Sequence, residues 1–174
     1  MTKTAHDSAT PANGQQVITA CAFIHQEIDG EHQLFMPKRA DTKAFLPGVF
    51  ELPGGHIDFG EDIVTGLTRE IDEEFGMTIA IGDPFASFTY SNHIKGSHSI
   101  EVIYFAKFME PVDQIKLDPE DHSTFEWFSV EDIEARKLEM SPEEMIDKET
   151  GDDPEYRCIK RGFELLQGGA INFG

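Results

Sequence analysis

The sequence predicts an α/β (α+β) chain in which a mixed β-sheet is covered by helices. Three observations carry that expectation. VITACAFIHQ (17–26) and SIEVIYFAKF (99–108) are apolar and β-branched enough to be buried strands. Between them, residues 62–75 change to a helical period. Strands and helices then stay interspersed, which favours packed layers of both kinds.

In chain order, residues 1–14 are polar and lack the apolar stretch of a secretory signal, so they read as a flexible leader. Strand 17–26 turns at IDGEHQ (28–33) into LFMP (34–37), a hairpin ending in Lys38 and Arg39. A loop, DTKAFLPG (41–48), leads to VFELPGGHIDFGED, a short strand among glycine turns. The helix runs from Asp62 to Phe75, and Gly76 is suited to end it. TIAIG (78–82), FASFTY (85–90) and residues 99–108 are the next strands, followed by a polar connection. TFEWF (124–128) is a strand and SVEDIEA (129–135) a short helix capped by Ser129. An acidic loop with one helical turn after Pro142 precedes a closing helix to Gln167, with Asp153 as cap and Pro154 at its first position.

The 174 residues suit one domain with a full core. The net charge of −19, from 33 acids and 14 bases, repels nucleic-acid phosphates and anionic lipid, which argues against duplex binding and membrane association. No apolar run approaches the ~20 residues of a bilayer span. Cys21 and Cys158 have no framework spacing, so a reducing compartment, the cytoplasm, is expected.

Glu70, Glu73 and Glu74 crowd one helix edge, beside an apolar stripe of Val64, Leu67, Ile71 and Phe75. Gly66 lies on the same side, at a cost of about 1 kcal/mol against alanine, which suggests that room is needed there. Three adjacent carboxylates repel one another. They become favourable around a hard divalent cation such as Mg2+, which takes oxygen ligands and keeps several waters.

Gly55, Glu61, Arg69-Glu70-Ile71, Glu73-Glu74 and Gly76-Met77 fall at every fixed position of the box that defines the Nudix hydrolases, and the chain resembles that family. Pro53-Gly54-Gly55, the Trp127 strand and the short helix after it are similar to the family's flanking elements. The resemblance implies an αβα sandwich with a loop–helix–loop motif. Residues 15–138 would form the Nudix domain, with 139–174 as an acidic loop and helix packing on it. It also implies Mg2+ (or Mn2+) held by Glu70, Glu73, Glu74 and the Gly54 carbonyl, with Gly55, Glu61, Arg69 and Gly76 structural. Water would then attack a phosphorus of a nucleoside diphosphate derivative.

Glu70 or Glu74 in the box, or Asp121 with Glu120 six or seven residues before Trp127, are the catalytic acids expected from the resemblance. Arg39 and His56 are the expected substrate contacts, Arg39 because a guanidinium suits a bidentate phosphate contact. FELPGGHIDFGE most resembles the branch that converts nucleoside triphosphates, modified ones included, to monophosphate and pyrophosphate. ADP-ribose or a nucleotide sugar is the alternative substrate, and a nucleotide-sensing binding module is the alternative of another class. A homodimer through residues 139–174 is left open, with Arg157, Lys160 and Arg161 on one basic face.

Overall fold

The computed structural model describes residues 14–169; all but the last residue of the expected leader lies outside them. β1 (Gln16–Ile28) turns through Asp29-Gly30 into β2 (Glu31–Arg39). β3 (Gly54–His56), α1 (Ile63–Phe75), β4 (Ile79–Asn92), β5 (Ser97–Phe108) and β6 (His122–Phe128) follow. α2 (Val130–Ala135), α3 (Lys137–Met140) and α4 (Pro154–Gln167) complete the chain. The sheet order is β4-β5-β1-β2-β6, with β3 also paired to β1. β1 and β5 run parallel while the other pairs are antiparallel, so the sheet is mixed as expected.

β1 and β2 are paired from His25–Ile28 to Glu31–Leu34. Beyond Leu34 the two strands part, and residues 49–56 fill the fork. There the Glu51 N–H donates to the Pro37 carbonyl at 3.1 Å, the Arg39 N–H to Val49 at 2.9 Å and the Ala22 N–H to Pro53 at 2.8 Å. These bonds replace part of the lost β1–β2 ladder, since buried main chain needs partners.

Alternating residues send each strand's side chains to opposite faces. One face, with Ala20, Ala22, Ile24 and Ala106, receives Leu67, Ile71 and Phe75 of α1. The other, with Phe23, Ile103 and Phe105, receives Ile133 of α2 and Tyr156, Ile159, Phe163 and Leu166 of α4. This is the αβα sandwich, each fully buried large side chain stabilising it by about 1.5–3 kcal/mol. Asp62 caps α1 by accepting from Val64 N and Thr65 N, both at 3.1 Å, worth about 1 kcal/mol. Gly76 ends it in the left-handed region (φ 61°) with its N–H on the Asp72 carbonyl. Asp153 and the Ser129–Asp132 capping box start α4 and α2.

Three expectations need correction. Residues 79–82 and 85–90 belong to one 14-residue strand, β4, which leaves out Thr78. Gly82-Asp83-Pro84 reads as a break, but on this edge strand shifts of register on both sides of Pro84 absorb it, and an edge proline owes no N–H to a neighbour. Val64 is 40 % exposed, so the buried stripe of α1 starts a turn later, at Leu67. The acidic stretch after residue 136 contains a short helix, α3, besides the 3-10 turn at Glu143–Met145. Among the described residues no helix is long and apolar enough to cross a membrane.

Phe163 of α4 is 2 % exposed and meets the Phe23 ring edge-on at 5.4 Å. Phe163→Ala is expected to lower stability by about 3–5 kcal/mol in a single urea transition. A loss below about 1 kcal/mol would make α4 a peripheral addition rather than half of the core.

Candidate active site

A cleft of about 690 Å³ opens where β1 and β2 part. Its walls include Glu70, Glu73 and Glu74 of α1, Gly54 to His56 of β3, and Glu120 and Asp121 before β6. Arg39 and Arg69 border it as well. Of the residues expected from the resemblance to hold metal, substrate or the motif itself, Glu61 and Gly76 stand outside the lining.

Arg69 organises the acidic side. Its Nε and Nη2 donate to the two carboxylate oxygens of Glu61 at 2.9 and 3.0 Å, a bidentate fork. Nη2 also donates to the His56 carbonyl at 3.0 Å, and Nη1 to Glu70 Oε1 at 2.8 Å. Glu73 Oε2 lies 3.6 Å from Nη1. Hydrogen bonding of Arg69 to Glu61, the largest of these influences, keeps the guanidinium's pKa above its already high ordinary value. The Asp58 N–H on Glu61 Oε2 ties the loop before α1 to the same fork.

Glycines supply the space. A Cβ on Gly55 would lie 2.5 Å from Glu70 Oε2, and one on Gly54, at φ 147°, only 2.1 Å from the Ala20 carbonyl oxygen. Gly66 makes room for Ile57 and Glu61, at 2.6 and 2.8 Å from its would-be Cβ, not for Glu70, Glu73 and Glu74, beside which the sequence placed it.

The Glu74 Oε2 atom is buried with no hydrogen-bond partner among the described residues. Burial, with repulsion from Glu51, Glu70 and Asp121, pushes its carboxyl well above the usual range. Oxygen donors of this kind, one of them unsatisfied, fit a hard divalent cation. Among the described residues no three acidic, histidine or cysteine side chains stand ready-arranged around one ion, and Arg69 pairs with Glu70 and Glu73.

The other expected contacts are also engaged. Arg39 Nη1 bonds both oxygens of Glu51 at 3.0 and 2.9 Å, and its Nε donates to the Phe45 carbonyl. Glu51 accepts in addition from His122 Nε2 at 3.0 Å. Burial opposes ionisation of Glu51, yet Arg39 and His122 prevail and lower its pKa. Lys43 pairs with Asp121. His56 Nε2 lies 3.1 Å from Lys95 Nζ.

Sequence reasoning missed Thr19, Cys21, Tyr90, Glu101 and Glu155, which also line the cleft. Glu101, a lone acid inside an apolar strand, was the available signal. It is 5 % exposed. Burial, with Glu51 and Asp153 adding repulsion, pushes its carboxyl up to about 7. Glu155 is likewise raised, by burial and then by Glu101.

The unfolded pKa of Glu101 is 4.5 and the folded value about 7, so folding must take up a proton between those pH values. The associated stability is full below about pH 4.5 and is lost as pH rises to about 7. Glu101→Gln is therefore expected to gain up to about 3 kcal/mol in denaturant titrations above neutral pH and nothing in acid. No gain in alkali would place this carboxyl in a solvated setting.

A family model of the NUDIX domain matches residues 17–148. A MutT-like protein of Streptomyces ambofaciens is 24 % identical over 125 residues, covering 72 % of this chain and 73 % of that one. The solved MutT NUDIX hydrolase from Burkholderia pseudomallei superposes at a TM-score of 0.57 with 26 % identity, over 68 % of this chain and 86 % of that one. The NUDIX domain of Shewanella oneidensis NrtR, solved with ADP ribose, reaches 0.62 at 18 % identity over 87 % and 88 %, a likeness of fold alone. The motif from Gly55 to Met77 lies wholly inside the matched region and shapes the cleft, and on these grounds the chain belongs to the Nudix hydrolases, enzymes that cleave pyrophosphate bonds.

Proposed function

We propose that the chain hydrolyses a nucleoside triphosphate, modified ones included, to nucleoside monophosphate and pyrophosphate, by water attack at phosphorus. The observation that carries this reading is the unsatisfied, buried Glu74 carboxylate beside Glu70 in a cleft large enough for a nucleotide. Glu70, Glu73 and Glu74, with the Gly54 carbonyl, would hold Mg2+ or Mn2+, which supplies charge neutralisation and acidifies bound water.

The residues of this chain have separate tasks in that reading. Gly55 leaves Glu70 room to face the cleft. Glu70 is our choice for the proton acceptor: Arg69 fixes its Oε1, and the missing Cβ of Gly55 leaves room beside its Oε2. Glu120 is exposed in the turn beside Asp121. Arg39 and Lys43, each balanced by a carboxylate, flank the path of the phosphates, and His56 borders it from β3. Arg69 keeps the acidic edge of α1 in place through Glu61. ADP-ribose, which the Shewanella oneidensis domain was solved with, is the second substrate to test.

Incubation of the chain with Mg2+ and a panel of nucleoside triphosphates, ADP-ribose, nucleotide sugars and dinucleoside polyphosphates should release monophosphate and pyrophosphate from the first group. Chelation of the metal should abolish it. Glu74→Gln is expected to lower kcat about 100-fold or more, whereas Asp121→Asn should change it less than about tenfold. AMP plus ribose phosphate as the main product would replace this reading. Undiminished turnover by Glu74→Gln would refute the role of the glutamates.

A further inference from the structure

The cleft has two chemically different ends. The end at α1 offers the box glutamates with Arg39, Lys43 and Arg69, and suits phosphates with their cations. The other end, built by β1, β5 and the start of α4, offers Thr19, Cys21, Glu101 and Glu155. An anion cannot dock on paired acids, so that end takes the uncharged part of a substrate.

We propose that Glu101 and Glu155 read the edge of a purine base of the guanine type. This rests on the nucleotide-hydrolase reading above and adds the identity of the base. Glu101 Oε2 accepts from Thr19 Oγ1 at 3.3 Å, while Oε1, buried, has no hydrogen-bond partner among the described residues. A buried acceptor left this way costs about 1–3 kcal/mol and marks a place where a ligand donor is missing. Glu155 Oε1 is fixed by the Leu52 N–H at 3.2 Å, which aims this half-buried carboxyl from α4 at the same end of the cleft.

Burial raises both carboxyls and Glu101 repels Glu155, which favours a proton on the pair. It then presents one O–H donor and several acceptors. Guanine's edge is the complement, with O6 as acceptor and N1–H and N2–H as two adjacent donors. Adenine offers an acceptor at ring N1 where guanine offers a donor, and hypoxanthine lacks the exocyclic amine. Phe45 and Tyr90, with rings 12° from parallel and centroids 6.3 Å apart, supply aromatic surface in the same part of the cleft.

Calorimetric titration of GMP, IMP and AMP into the full chain, with metal chelated, tests this apart from turnover. The parent should bind GMP about tenfold or more tighter than IMP or AMP. Glu101→Gln and Glu155→Gln should each bring GMP to the affinity of IMP. Because Glu101→Gln is expected to be the more stable protein above neutral pH, its loss of preference would not reflect unfolding. Equal binding of the three nucleotides by the parent, no measurable GMP binding at millimolar concentration, or retention of the preference in both variants would overturn the proposal. A parent that prefers GMP yet releases pyrophosphate from no triphosphate would instead remove the hydrolytic reading and leave this one standing.

Discussion

Repulsion among carboxylates is the constraint that shapes this molecule. Eight acidic side chains border one cleft, against the cationic Arg39, Lys43 and Arg69. In a partly desolvated space each unbalanced pair of like charges costs several kcal/mol at an intermediate dielectric. The protein meets this cost in different ways along the cleft. Arg69 bridges Glu61, Glu70 and Glu73. Arg39 and His122 hold Glu51 ionised. Burial and repulsion raise the carboxyls of Glu74, Glu101 and Glu155 above the usual range instead.

The fold makes this arrangement affordable by fixing backbone before side chains. The fork between β1 and β2 is closed by residues 49–56, which repair the ladder and bring Glu51 beside Arg39. Gly54 and Gly55 let that segment lie against β1 and Glu70 with no Cβ between. The apolar faces of α1 and α4 then clamp the sheet from both sides. Acidic groups gathered on a frame of this kind cannot relax apart, which is how stability is exchanged for a site.

Elements whose cause is local were legible in the sequence. The Ser129 and Asp153 caps, the glycine end of α1 and the period of Leu67, Ile71 and Phe75 all depend on residues within a few positions. The run Gly82-Asp83-Pro84 misled because its tolerance depends on β4 being an edge strand, a property of the sheet. The arrangement of Glu61 and Arg69 could be expected from the resemblance, since the two sit within one motif. The pairing of Arg39 with Glu51, and the closeness of Glu101 to Glu155, join segments with no shared pattern. Only the sheet order and the docking of α4 bring them together.

One consequence of that sheet order concerns time. Thr19 and Glu101 are 82 positions apart and meet only when β1 pairs in parallel with β5. The β1–β2 hairpin and α1 rest on neighbouring residues and can form early, whereas a pairing of such long loop closure is intrinsically slow. The floor of the cleft is thus expected to be among the last parts to assemble in a nascent chain. Until then its acids remain in water and repel nothing at close range. The strain of gathering them falls on a protein whose helices and hairpin are already in place.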